Sequence, residues 1–239
     1  MPFKDRFSIY EGEFSEKEST AFENAYSLGW GDNGDVFRFV LKSNPRISYV
    51  RKRYHQGFIG FINKFFELRG LRLLQNASAK FPVYGVSVVK VKGTIWNRVY
   101  LEDMRGVSYQ EIISSKNMLT ESEMGYIYER LKAFETSINE YMKYRFPLST
   151  AEKNEIKETI RQLKYSEPKL TKQEIKDKAE KWYQEHYGTV GAKWDGNFDV
   201  NITLNPFSPG FLMPLSINLA PHQIVIDPKT LHITIIDPQ

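Results

Sequence analysis

Between Asp35 and Leu101 the chain reads as short apolar runs broken by polar residues. Asp35–Leu41, Ile47–Tyr54, Val86–Val91 and Arg98–Leu101 are rich in β-branched and aromatic residues and predict strands. Phe58–Leu74, lying among them, repeats its apolar residues at helical spacing. From Thr120 to about Gly188 the period is helical, and three starts of the form S/T-x-x-E pair a hydroxyl N-cap with a glutamate: Thr120 with Glu123, Ser149 with Glu152, Thr171 with Glu174. The first of these helices carries a stripe through Met124, Ile127, Leu131, Phe134 and Ile138 and belongs in a core. Ala151–Lys164 and Gln173–His186 are more charged, with thin stripes, and predict surface helices. Gly188–Phe211, rich in Gly, Asn and Pro, reads as a loop. Two short apolar strands, Ile224–Ile226 and His232–Ile236, follow across the turn Asp227-Pro228-Lys229-Thr230. Strands first and helices later give an α+β class.

Composition narrows the chemistry. With 239 residues, 41% hydrophobic and 26% charged, the chain suffices for one two-lobed domain or two small ones. Zero cysteines exclude disulfides, thiolate metal sites and a cysteine nucleophile. The charged first residues lack the apolar core of a secretory signal, and no run approaches the roughly 20 apolar residues of a membrane span, so a cytoplasmic protein with no membrane partner is expected. A net charge of +4 is too mild for a nucleic-acid-binding signature, and no nucleic-acid partner is expected.

Three groups of residues point to a site. The first is Gly29-Trp30-Gly31-Asp32-Asn33-Gly34, followed directly by the strand-like run from Val36. A dinucleotide-binding fold would place a helix there, so the context favours a strand–turn–strand hairpin over phosphates, with a plain Gly/Asn turn as the alternative. The second is Lys52, eighteen residues after Gly34; strand alternation puts it on one face with Val50 and turns Arg51 and Arg53 to the other. A buried lysine needs a counter-charge. Between Lys52 and Phe81 the one acid is Glu67, on the apolar helix, and the alternative is a solvated Glu67 paired with Lys64 or Arg69.

A Gly-rich loop, a strand lysine and a helix glutamate in that order resemble the small lobe of the protein-kinase-like superfamily. The resemblance implies that Glu102-Asp103-Met104-Arg105-Gly106 links two lobes, that backbone at Glu102 and Met104 meets adenine, that Leu101 faces the pocket and that Ser108–Ser114 is a short helix. The third group, Ser216 to Asp227 with Ile235-Ile236-Asp237-Pro238-Gln239, resembles a catalytic loop and metal-binding strand: Leu219 stands at the loop leucine, Gln223 at the metal-binding asparagine and Asp237 at the metal-binding aspartate. The departures are Asn218 at the catalytic base, Ser216 at the histidine, and Pro238-Gln239 in place of Phe-Gly. The minimal kinases of bacterial effectors and phages are similar in ending with Asp-Pro. Asn218 weighs more, since an amide orients a hydroxyl but cannot take its proton.

The resemblance implies a two-lobed fold: a strand-rich N-lobe over residues 1–106 and a reduced, mostly helical C-lobe over 107–239, with a charged insert at about 149–188 and a catalytic-loop-like segment at 215–239. It also implies binding of ATP and Mg²⁺. Gly29, Gly31, Gly34, Val36 and Val50 would cover the nucleotide and Lys52, oriented by Glu67, would hold its phosphates; Gln223 and Asp237 would bind Mg²⁺, and Asn218 would face the acceptor hydroxyl. The expected activity is phosphoryl transfer to a protein hydroxyl, of serine/threonine type if residue 218 is natively Asp, by an effector or toxin acting in its own or a host cytoplasm. The alternative is an inactive pseudokinase that senses nucleotide or binds a protein partner. An asparagine at 218 fits a native pseudokinase or an aspartate replaced to silence a toxic enzyme.

Overall fold

The alternation read at Asp35–Tyr54 becomes the middle of an antiparallel sheet. The computed structural model describes residues 22–31, 34–42, 44–115, 118–147, 150–187, 190–202 and 215–236. β1 (Phe22–Gly31), β2 (Gly34–Leu41) and β3 (Asn44–Tyr54) run as a meander, and the chain then enters α1 (Phe58–Lys80). β4 (Val86–Val88), β5 (Val91–Ile95) and β6 (Arg98–Glu102) follow. β6 returns beside β3, giving the order β1-β2-β3-β6-β5.

The single strand expected over Val86–Val91 is therefore two. Val86, Ser87 and Val88 pair in parallel with Ile233, Thr234 and Ile235, whereas Val91 pairs with Leu101. The split is forced by partners nearly 150 residues apart in the chain, and no local pattern reports them.

The second half begins with β7 (Val107–Ser108) and α2 (Tyr109–Ser114), then α3 (Glu121–Arg145), α4 (Thr150–Ser166) and α5 (Lys172–Tyr187). The stripe expected on α3 is its buried face, with Ile127, Leu131, Phe134 and Ile138 fully enclosed. α4 buries no residue, while α5 buries Ile175 and Ala179, so only α5 departs from a surface helix. Ser149 lies outside the described residues. Thr120 caps α3 reciprocally: its hydroxyl accepts from the Glu123 amide, and the Glu123 carboxylate accepts from the Thr120 amide at 2.7 Å. The backbone bond from Thr120, and then its hydroxyl, hold the Glu123 carboxyl below its ordinary value. A carboxyl lowered in the folded state stabilises above the unfolded value near 4.3 and loses that contribution as pH falls through the folded value. Thr120→Ala is expected to cost about 1 kcal/mol in urea unfolding at neutral pH, with the gap from wild type narrowing in acid.

Residues 188–211, expected as a loop, contain two strands, β8 (Val190–Trp194) and β9 (Phe198–Ile202). Ala192, Trp194, Phe198 and Val200 alternate inward and are buried, and the tight turn at Asp195-Gly196-Asn197 closes the hairpin. β10 (Leu215–Leu219) adds to β9, a short 3-10 turn spans Pro221–Gln223, and β11 (Ile224–Asp227) and β12 (His232–Ile235) form the last hairpin. β4, β12, β11 and β7 make the third sheet.

One contiguous core joins these parts. Leu71 and Leu74 of α1, Val99 of β6, Leu131 and Phe134 of α3, Phe198 of β9 and Ile224, Ile226, Ile233 and Ile235 of the last hairpin all belong to it. Each such side chain contributes about 1.5–3 kcal/mol by leaving water. Among the described residues no helix is long and apolar enough to cross a membrane.

Candidate functional site

Lys52 stands in β3 with Val36 of β2 directly opposite on one side and Val99 of β6 on the other. Cross-strand partners share a face, so Val36, Val50, Lys52, Val99 and Leu101 form one surface of the sheet. α1 lies against that surface and brings Glu67 to it. The Lys52 Nζ donates to Glu67 Oε2 at 2.7 Å, and the two residues are each only 4% exposed. The alternative of a solvated Glu67 is thereby excluded. The Lys52 ammonium also sits 5.4 Å from the centre of the Tyr54 ring.

The opposite face takes the arginines. The Arg51 guanidinium lies over Phe39 at 4.2 Å and near Phe37 at 5.3 Å, and burial lowers it from its ordinary value. Arg53 pairs with Asp35 at 2.5 Å. The alternation that assigned the faces in sequence is the one the sheet uses.

The glycines lie in a β1–β2 hairpin. Gly29 opposes Val36, and Gly31 opposes Gly34, so the string joins two strands rather than a strand and a helix. That geometry removes the dinucleotide-binding reading. Gly34 has a reason of its own: its φ is +149°, and a methyl there would collide with the Arg53 carbonyl of β3. Its need for glycine comes from close approach of a neighbouring strand, which the sequence alone attributed to phosphates. Gly34→Ala is expected to lower stability by about 1–3 kcal/mol, read as a fall in the urea midpoint.

At the end of β6 the segment from Glu102, expected as a linker, is fastened to its neighbours. The Glu102 amide donates to the Lys90 carbonyl at 2.9 Å. The Asp103 carboxylate, its side chain 2% exposed, accepts from the Ser48 hydroxyl at 2.5 Å and lies 2.8 Å from Arg38 Nε. The Arg38 N–H is not aligned on the oxygen, so that second contact is a charge pair and not a hydrogen bond. Met104 packs on the core from a half-buried position. Glu102 opposes Tyr49 in the ladder, on the face of the sheet away from Lys52, and Met104 lines a cavity that holds Arg130 and not Lys52.

No family model matches the chain, and no curated protein matches it.

The C-terminal candidates are placed by different elements. Asn218 is exposed in β10, between buried Ile217 and Leu219, and its cross-strand partner in β9 is Asp199. The Asn218 amide donates to Asp199 Oδ1 at 2.7 Å. Asp199 Oδ2 has no partner among the described residues. Sequence reasoning missed Asp199 because residues 188–211 read as a loop; the Asp-Gly turn between Trp194 and Phe198 was the available hairpin signal. Gln223 is buried, and its Oε1 accepts from the Ala220 amide at 2.7 Å, holding the 3-10 turn closed. Asp237 lies outside the described residues. Among the described residues no group of three or more His, Cys, Asp or Glu could hold a metal. On the sheet side, apolar Val36, Val50 and Leu101 share a face with the buried Lys52 ammonium.

Proposed function

We propose that the chain is a protein-kinase-like phosphotransferase that binds ATP on the sheet face of Lys52 and transfers its terminal phosphoryl group to a protein hydroxyl. The observation that carries this reading is the buried Lys52–Glu67 pair at 2.7 Å, between a sheet holding a glycine hairpin and a helix crossing it. Burying two charges costs several kcal/mol before their attraction repays it, so an ion pair at this depth asks for a reason beyond stability. A fixed ammonium beside apolar Val36 and Val50 is such a reason, since it neutralises phosphate oxygens in a site of low dielectric.

Bound ATP would supply the transferred phosphoryl group, with Mg²⁺ balancing its charge. The residues of this chain bind and orient. Lys52 attracts the phosphates, Glu67 keeps Lys52 in one rotamer, and Val36 and Val50 cover the base. Asn218 stands where the resemblance puts a base, and its hydrogen bond joins it to a carboxylate that can do what the amide cannot. In transfer the acceptor oxygen bonds to phosphorus, the bond to the leaving diphosphate breaks, and the acceptor proton passes to Asp199. Phosphoryl transfer depends mostly on positioning and charge, so one displaced base is compatible with turnover.

The second reading, a pseudokinase that binds nucleotide without transfer, is favoured by the amide at 218 itself. A thermal-unfolding series with ATP, with and without Mg²⁺, tests what the two readings share. ATP at 100 times its dissociation constant is expected to add about 2.7 kcal/mol to stability, and no shift at any concentration would remove both readings. Labelled phosphate from ATP appearing on proteins of a cell lysate then separates them.

A further inference from the structure

A cavity of about 530 Å³ opens on the side of the linker formed by α3, the residues before β4 and the β11–β12 hairpin. Arg130 of α3 lines it and is only 8% exposed. Aromatic rings cover the guanidinium: its carbon lies 3.7 Å from the centre of Tyr126 and 5.1 Å from that of Tyr84. Nη1 donates to the Leu231 carbonyl at 3.1 Å. Among the described residues Nε and Nη2 have no acceptor, no carboxylate pairs with the guanidinium, and neither nitrogen is sealed from solvent. A cation held this deep without a counter-ion is costly. The fold nevertheless makes room for it, because Gly85, at a φ of +74°, is where any methyl would collide with the guanidinium.

We propose that this cavity is a carboxylate-binding site, in which the Nε–Nη2 edge of Arg130 holds the anion fork to fork. With two rings close to the guanidinium and Nη1 engaged, that edge is the one left to offer two parallel donors, the geometry that fits a planar carboxylate. Arg105 from the linker adds a second positive charge to the lining. Asp227 lines the same cavity, and bonds from the Lys229 amide and the Thr230 hydroxyl hold its carboxyl below the ordinary value. A fixed negative charge there repels the two charges that a phosphate dianion gathers on one small group more than the single charge of each carboxylate group. Met104 and Arg105, of the segment that the nucleotide reading places beside adenine, line the cavity too, but Lys52 and Glu67 do not, so the site stands apart from the ion pair that carries that reading.

The test is an NMR titration of the full chain, following the Arg130 Nε–Hε signal and the Met104 methyl, with sodium glutarate, with a peptide ending in glutamate, with inorganic phosphate, and with sodium chloride at matched ionic strength. Either carboxylate is expected to move both signals saturably. Arg130→Lys, which keeps the charge but not the fork, is expected to weaken binding at least about tenfold, read at Met104 in protein whose melting shows it folded. Gly85→Ala, which keeps the arginine but displaces it, is expected to weaken binding as well. Peptide binding at least tenfold tighter than glutarate would name a protein carboxylate as the occupant, and equal binding a small acid; either result supports the site. Shifts no larger than those from chloride, tighter binding of phosphate than of both carboxylates, or unchanged affinity in Arg130→Lys would overturn it.

Discussion

Lys52→Met is expected to destabilise the protein by about 3–5 kcal/mol, read from urea unfolding, because it leaves the Glu67 carboxylate buried without its cation. Lys52 and Glu67 expose 6% and 4% of their side chains, so solvent screens the pair little. Replacing both partners has a different outcome. Lys52→Met with Glu67→Leu removes the charges together, and apolar groups of similar size at a buried pair are often neutral or stabilising. The double variant should therefore recover most of the stability lost by the single one while losing ATP binding. That separation of stability from binding marks a pair kept for a ligand. A double variant as unstable as Lys52→Met would mean that the pair serves the fold.

Asp199→Asn should lower phosphoryl transfer by about 10²–10⁴-fold, the usual contribution of a positioned general base, while leaving ATP affinity within about twofold. The motive is the 2.7 Å bond that couples Asp199 to Asn218 across the β9–β10 ladder. Asn218→Asp sets two carboxylates side by side, and like charges at that range share a proton. Exchanging the two residues, Asp199→Asn with Asn218→Asp, keeps one carboxylate and one amide and is expected to restore part of the transfer lost by Asp199→Asn. Transfer from labelled ATP to lysate proteins measures all three. Unchanged transfer in Asp199→Asn would remove Asp199 from the chemistry.

What the sequence made legible follows from the range of the forces involved. Lys52 could be assigned a face because strand alternation is local, and Glu67 could be assigned to Lys52 because no other acid lay on the apolar helix. The cap of α3 was readable for the same reason, since Thr120 and Glu123 are three residues apart. β8 and β9 were hidden by composition: Gly191, Gly196, Asn197 and Asn201 dilute an alternation that Trp194, Phe198 and Val200 still carry. Asp199 became visible only when β9 was laid beside β10. Arg130 was hidden differently, as a charge on an otherwise amphipathic helix, and only the folded cavity shows that it is buried beside Tyr84 and Gly85. The two halves of Val86–Val91 diverge because β12, which pairs with β4, is remote in the chain. Long-range pairing, not propensity, was the missing information.

Calorimetric titration of ATP into the wild-type chain and into the folded Lys52→Met, Glu67→Leu variant tests the central claim most directly. Saturable binding to the wild type, weakened at least about a hundredfold in the variant as expected when a buried charge contact to phosphate is lost, is the result predicted here. Equal affinity in the two proteins, or no binding to the wild type, would contradict it.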